Sequence, residues 1–165
     1  MAHGDKDGQT PLVTAAECGD MELIKSLIEA GADLNAKDNQ YGRSPLHYAA
    51  IRGDQELAEL LLANKADVSP KCDKGGGTPL HFAVINGNEN VVKLLLAHGA
   101  GVNARDDKGQ TPLHWAARAP RINNLPALLL HNQADFYARD KDGKTPSDLA
   151  DSSLMAAHLL LHAPR

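Results

Sequence analysis

An all-α chain of short helix pairs stacked side by side is the fold class this sequence predicts, and three observations carry it. A four-residue mark recurs as Thr10-Pro11-Leu12-Val13, Ser44-Pro45-Leu46-His47, Thr78-Pro79-Leu80-His81, Thr111-Pro112-Leu113-His114 and Thr145-Pro146-Ser147-Asp148, at steps of 34, 34, 33 and 34 residues. A glycine stands two positions before each mark: Gly8, Gly42, Gly76, Gly109 and Gly143. Each mark is followed by a leucine-rich stretch whose apolar stripe is too wide for a lone helix pair to hide. A fixed period of this length signals an array in which each unit buries its apolar side against the next.

Each element has a local cause. The Thr or Ser oxygen of the mark caps the free N–H groups of a first turn, and the proline after it suits N1, where its missing N–H costs nothing. The pairs Ala15-Ala16, Ala49-Ala50, Ala83-Val84 and Ala116-Ala117 let a neighbouring helix approach closely, and Gly19, Gly53 and Gly87 supply a left-handed residue that turns the chain back. A second helix follows, with its apolar face in Leu23-Ile24-Leu27-Ile28, Leu57-Leu60-Leu61-Leu62, Val91-Val92-Leu94-Leu95-Leu96, Leu125-Leu128-Leu129-Leu130 and Leu159-Leu160-Leu161. The fourth unit is irregular between its helices, Arg118 to Pro126. There Pro120 should end the first helix, and Pro126 fits the first turn of a shortened second helix if Asn124 is its cap. The fifth unit replaces Leu-His with Ser147-Asp148 and stops at Arg165, which predicts a polar cap. The first unit has no preceding cap and should expose one flank.

These residues resemble the ankyrin repeat family, whose Gly-x-Thr-Pro-Leu-His-x-Ala-Ala, Gly, leucine-rich helix and Gly-Ala-Asp-Val-Asn are matched across nearly the whole chain. Gly31-Ala32-Asp33-Leu34-Asn35 and Gly99-Ala100-Gly101-Val102-Asn103 carry the closing segment well, and Lys65-Ala66-Asp67-Val68-Ser69 and Gln133-Ala134-Asp135-Phe136-Tyr137 carry it with substitutions. The resemblance implies an all-α ankyrin repeat solenoid of stacked antiparallel helix pairs with β-hairpin finger loops. It implies one domain, with repeats at approximately 5–38, 39–72, 73–105, 106–139 and 140–165. Fingers and first helices would line a slightly concave side. One extra residue in LNAKDNQYG and in VSPKCDKGG predicts that the first two fingers are longer or bulged.

Composition narrows the function. Lys+Arg of 17 against Asp+Glu of 21 gives a net charge of -4, which disfavours nucleic acid and anionic membrane surfaces as partners. No apolar run approaches the roughly 18 residues of a membrane span. Cys18 and Cys72 match neither a metal knuckle nor a disulfide framework, so two free thiols are expected. The start, MAHGDKDG, lacks the apolar core of a secretion signal, so the compartment is cytoplasmic by default, with export open if a signal was removed.

Chemistry-bearing patterns have plain explanations. GGGT at 75–78 suggests a phosphate loop, but Lys74 precedes all three glycines, where such a loop has its lysine after the last. His47, His81 and His114 recur at equivalent positions. Repeat spacing of roughly 8 to 10 Å is too wide for a shared ion bound at about 2 Å, and the family's motif histidine hydrogen-bonds the loop of its own or the next repeat. His158 and His162 stand at i and i+4 with no glutamate between them and no third ligand. Asp106, Asp107, Asp140 and Asp142 are explained by finger turns. LIEAGADLN, ending at Asn35, looks like the pattern by which an asparaginyl hydroxylase picks such repeats. No catalytic residue, metal site or cofactor is expected.

One equivalent position, read through the repeats, holds Thr14, Tyr48, Phe82, Trp115 and Leu149, so three of the few aromatics form a ladder that is either core filling or an interface. With Tyr41 on a longer finger and Ile51, Arg52, Ile85, Asn86 and Arg118 near the first-helix ends, Tyr48, Phe82 and Trp115 make up the candidate partner-binding set. The expected function is binding of another protein through the concave face and fingers by a chain that is monomeric when free. Such binding could inhibit an enzyme or toxin by occluding its working surface. A passive structural or targeting scaffold, or a metal- or phosphate-binding protein, are the alternatives.

Overall fold

The structure, a computed structural model, describes residues 10–121 and 123–165. Gly8, the opening MAHGDKDG and Ile122 therefore lie outside the described residues. Among these, four helix pairs follow in order: α1 Pro11–Cys18 with α2 Met21–Glu29, α3 Pro45–Arg52 with α4 Gln55–Ala63, α5 Pro79–Ile85 with α6 Glu89–Ala97, and α7 Pro112–Ala117 with α8 Leu125–His131. A 3₁₀ turn, Ser147–Leu149, and α9, Ser153–Leu161, complete the chain.

The recurring mark starts each first helix as its chemistry requires. Ser44, Thr78 and Thr111 sit in extended backbone and form capping boxes with His47, His81 and His114 at N3, and the proline stands in the first turn. Thr10, with Val13 in place of the histidine, keeps half of that box: its hydroxyl accepts from the Val13 N–H at 3.4 Å. Gly53, at φ 67°, ends α3 and returns its N–H toward Ala49 and Ala50. Asp54 then caps α4, accepting from the Leu57 N–H at 3.0 Å.

Stacking supplies what no pair has alone. First helices pack in file, α1 on α3, α3 on α5 and α5 on α7, and α4 packs on α6 in a second layer. Leu12, Leu46, Leu80 and Leu113 run through the file fully buried, and Leu57, Leu61, Leu95, Leu125 and Leu129 bury from the second helices. Full burial of each such side chain is worth about 1.5 to 3 kcal/mol. The alanine pairs are fully buried too, which is how the helices come close.

No described residue is in a strand. Each finger is a turn whose ends are joined by a backbone bond, Asp38 N–H to Arg43 O, Cys72 to Gly77, Asp106 to Gln110 and Asp140 to Lys144, and the first two span one residue more than the others. Finger joins finger through Asp73 N–H to Tyr41 O at 2.9 Å, Asp107 to Gly75 at 3.0 Å and Lys141 to Lys108 at 2.9 Å. At their bases, Asn35 Oδ1 accepts from the Asp67 N–H at 2.8 Å and Asn103 Oδ1 from the Asp135 N–H at 2.7 Å, while Ser69 Oγ accepts from Gly101 at 3.1 Å. The asparagine read as a modification target is thus a tie between repeats.

Three expectations are corrected. Asn124 is at the N-cap position of α8 but makes no side-chain cap; Asn123 Oδ1 accepts from Leu125 N–H at 3.0 Å instead. Asn124 is not extended, at ψ 1°, and the residue two beyond it is Pro126, which has no N–H to offer. The fifth mark starts only a 3₁₀ turn, because Asp148 in place of histidine reaches back to the Thr145 N–H at 2.9 Å and no leucine anchors the next turn. The last repeat is not polar on its outer side: Met155 and Leu159 bury, whereas Leu154, Leu160 and Leu161 are exposed, Leu161 to 82%.

Candidate functional site

Three histidines tie each repeat to the next. The Ser44 N–H can only donate, so Nδ1 of His47 accepts it at 3.0 Å, and the proton must sit on Nε2, which donates to the Gly77 carbonyl at 3.0 Å. His81 repeats this with Thr78 and Gln110, and His114 with Thr111 and Lys144. With both ring nitrogens engaged, none has a lone pair free for a metal. Burial pushes the His47 pKa down to about 4, against a smaller upward pull from Gly77, and burial lowers His81 as well. Among the described residues no cluster of three or more His, Cys, Asp or Glu could hold a metal ion.

Beside each histidine stands an aromatic, and two of the three are held from the finger. The Tyr48 hydroxyl donates to Asp38 Oδ2 at 2.8 Å, and Trp115 Nε1–H donates to Asp106 Oδ2 at 2.9 Å. In the repeat between, Cys72 stands where Asp38 and Asp106 stand, and Phe82, which has no polar hydrogen, takes the aromatic position. Carboxylate and polar aromatic thus occur together, and thiol with plain phenyl. Burial raises the Asp38 carboxyl, but the Tyr41 N–H, the Tyr48 hydroxyl and the N–H groups of Arg43 and Gln40 outweigh it, leaving its pKa below the ordinary 3.8. Burial, then the hydrogen bond and charge of Asp38, raise the Tyr48 phenol.

The ladder interlocks across repeats. Phe82 meets Trp115 edge to face at 5.3 Å between ring centres, His47 meets Phe82 at 5.7 Å, and His81 meets Trp115 at 5.0 Å. Tyr48 is core, 6% exposed, whereas Phe82 and Trp115 are half-buried and keep part of their rings at the surface. Arg43 lies across this row, its guanidinium 4.2 Å from the Tyr41 ring centre, 5.1 Å from that of Phe82 and 6.0 Å from that of Tyr48.

The remaining sequence-selected residues divide. Ile85, Trp115, the exposed Arg118 and Asp151 line one open groove of about 270 Å³. Asn86 folds back on its own helix, donating to Phe82 O at 2.8 Å. Arg52 turns toward the first repeat: its Nη1 donates to Glu17 O at 3.2 Å, and its guanidinium covers Gly19. Ile51 is half-buried against the core. The fold thus brings Tyr41, Tyr48, Phe82 and Trp115 together, continues them into Ile85 and Arg118, and leaves Arg52 apart.

Sequence reasoning missed Arg43, Asp38 and the second role of Asp106. The covariation of Asp38 with Tyr48, Cys72 with Phe82 and Asp106 with Trp115 would have found the acids. No periodicity marks Arg43.

No described helix is long and apolar enough to cross a membrane. A family model described as ankyrin repeats (3 copies) matches residues 1–72 and 69–140. No curated protein matches the chain.

Proposed function

Because the chain belongs to the ankyrin repeat family, whose members generally act as protein–protein interaction modules, we propose that it binds a partner protein along the row from Tyr41 through Phe82 and Trp115 to Ile85 and Arg118. The observation that carries this is the half-buried Phe82–Trp115 pair, which keeps part of its ring surface accessible and of which Trp115 lines an open groove. Large aromatics fixed before contact lose little entropy on binding and dominate interface energies. Tyr48 serves from within, holding Asp38 and the finger in place. A partner lying on this row would have the covered part of its surface occluded, and inhibition of an enzyme or toxin is the form of action we favour over passive scaffolding, since the row is preorganised.

The test is capture of a partner from the native host with the unaltered protein and with Ile85→Arg combined with Arg118→Glu, both at accessible positions. We expect the doubly substituted protein to lose the partner at an unchanged melting temperature. Retention of the partner, with loss instead on substitution of exposed residues of α2, α4 and α6, would reject the reading.

A further inference from the structure

The finger end of the row carries a cation that no carboxylate among the described residues neutralises. Arg43 lies over Tyr41 and Phe82, yet among the described residues it pairs with no carboxylate. Its Nε is covered and makes no hydrogen bond, and among the described residues neither terminal nitrogen donates to a protein acceptor or is fully covered, so both keep open donors on a half-buried side chain. Lys74 Nζ stands 5.4 Å from the Tyr41 ring centre, and Arg118, which lines the groove with Trp115, makes no ion pair among the described residues.

Charge is segregated along the molecule. The finger segments 36–43, 70–77, 104–110 and 138–144 hold nine Lys and Arg against six Asp, whereas the rest of the sequence holds eight against fifteen Asp and Glu. Three of the six finger acids, Asp38, Asp106 and Asp140, are buried and committed to their own turns, and Asp73 pairs with Lys37 at 2.9 Å. An incoming surface therefore meets bases at the fingers and acids elsewhere.

We propose that the finger side of this row receives an acidic, extended segment of the partner protein, with one carboxylate on Arg43 and an apolar residue on the Phe82–Trp115 edge. The inference rests on the protein-binding reading above and adds the chemistry of what is bound. A guanidinium already held against aromatic rings presents its terminal donors to a carboxylate with little ordering cost. A short acidic peptide can keep its charge on the fingers, while the acidic remainder of the chain repels a long phosphate polymer.

Panning a displayed library of random peptides of about 12 residues on the protein, then measuring the enriched peptide by fluorescence anisotropy, tests this; such lengths suffice for an extended segment to cross the row. We expect enrichment of Asp and Glu around an aromatic or aliphatic residue. Binding should weaken roughly tenfold or more on Arg43→Gln, or on replacing the peptide's acids by amides, and should be unchanged by Lys93→Gln on α6. Circular dichroism melting of the Arg43→Gln protein separates lost contact from lost fold, and Arg43→Lys should retain part of the affinity. Enrichment of basic or uncharged peptides that remain sensitive to Ile85→Arg with Arg118→Glu would overturn the acidic partner and leave the protein-binding reading standing. So would enrichment of nothing when partner capture still depends on that pair. Displacement of the peptide by a single-stranded oligonucleotide of about 20 nucleotides at comparable concentration would overturn it in favour of nucleic acid.

Discussion

Nε2 of His47 lies 3.0 Å from the carbonyl oxygen of Gly77, thirty residues further on, so one imidazole joins the cap of its own helix to the finger of the next repeat. A second proton would have to enter on Nδ1, the atom that already accepts the Ser44 N–H. The unfolded chain takes up that proton below about 6.5, whereas folded His47 resists until about 4. Between those values the unfolded state holds more protons, and stability falls as pH falls. At pH 5, His47 alone should remove about 2 kcal/mol, and His81, shifted in the same direction, should add to it. Asp38, held below 3.8, joins only in stronger acid. Urea denaturation at pH 7, 6 and 5 checks this; a midpoint that does not move across that range would contradict it, and His47→Gln should flatten the dependence.

The parts of this arrangement written locally were legible in the sequence. Proline after a capping hydroxyl, an alanine pair and a glycine at the turn each act within a few residues, so Thr78, Ala83 and Gly87 could be placed without coordinates. Contacts that depend on how one finger lies over the next were not. Arg43 has no repeat partner in the sequence, and its seat on Tyr41 and Phe82 exists only once finger and helix are stacked. Asn123 and Asn124 look alike as caps until ψ of Asn124 is known. Leu154, Leu160 and Leu161 could be counted as apolar, but which side of α9 meets α7 is a packing outcome.

Tyr48 and Asp38 should not be equal in weight. Tyr48→Phe removes one donor from a carboxylate that still accepts backbone N–H groups of Gln40, Tyr41, Gly42 and Arg43. A loss of about 1 kcal/mol is expected. Asp38→Ala strands those N–H groups and the buried phenol together, and should cost about 3 kcal/mol or more. Chemical denaturation of the two variants decides it, and equal losses would mean that the finger turn stands without its carboxylate.

Among the described residues, two that are not glycine occupy left-handed backbone, each at the turn after a second helix: Lys65 at φ 67° and Gln133 at φ 69°. Gly31 and Gly99, at φ 81° and 83°, take the same conformation in the alternate repeats. Both side chains are exposed, so nothing is lost by removing them. Lys65→Gly and Gln133→Gly should each stabilise the protein by about 0.5 to 1 kcal/mol, the strain relieved less the added freedom of the unfolded chain. The sites stand two repeats apart and should add. Thermal melting of the double variant is expected to rise by roughly 2 to 8 °C; a fall would show that the two backbones are not strained.

Gly75 and Gly76 are neighbours in the finger that first suggested a phosphate loop, and they should respond differently to the same change. Both have positive φ, 91° and 68°. A methyl on Gly75 would enter open space, so Gly75→Ala should cost only the backbone strain, about 1 to 2 kcal/mol. A methyl on Gly76 would meet the Asp107 side chain and come within 2.9 Å of the Asp107 backbone nitrogen, whose N–H is bonded to Gly75 O. Relieving that clash forces the third finger off the second, so Gly76→Ala should cost at least about 1 kcal/mol more than Gly75→Ala and should weaken partner capture along the row. Denaturation midpoints for the two variants, measured side by side, carry the test. Equal costs would mean that the fingers can separate without disturbing the stack, and the rigid row on which binding depends would lose its support.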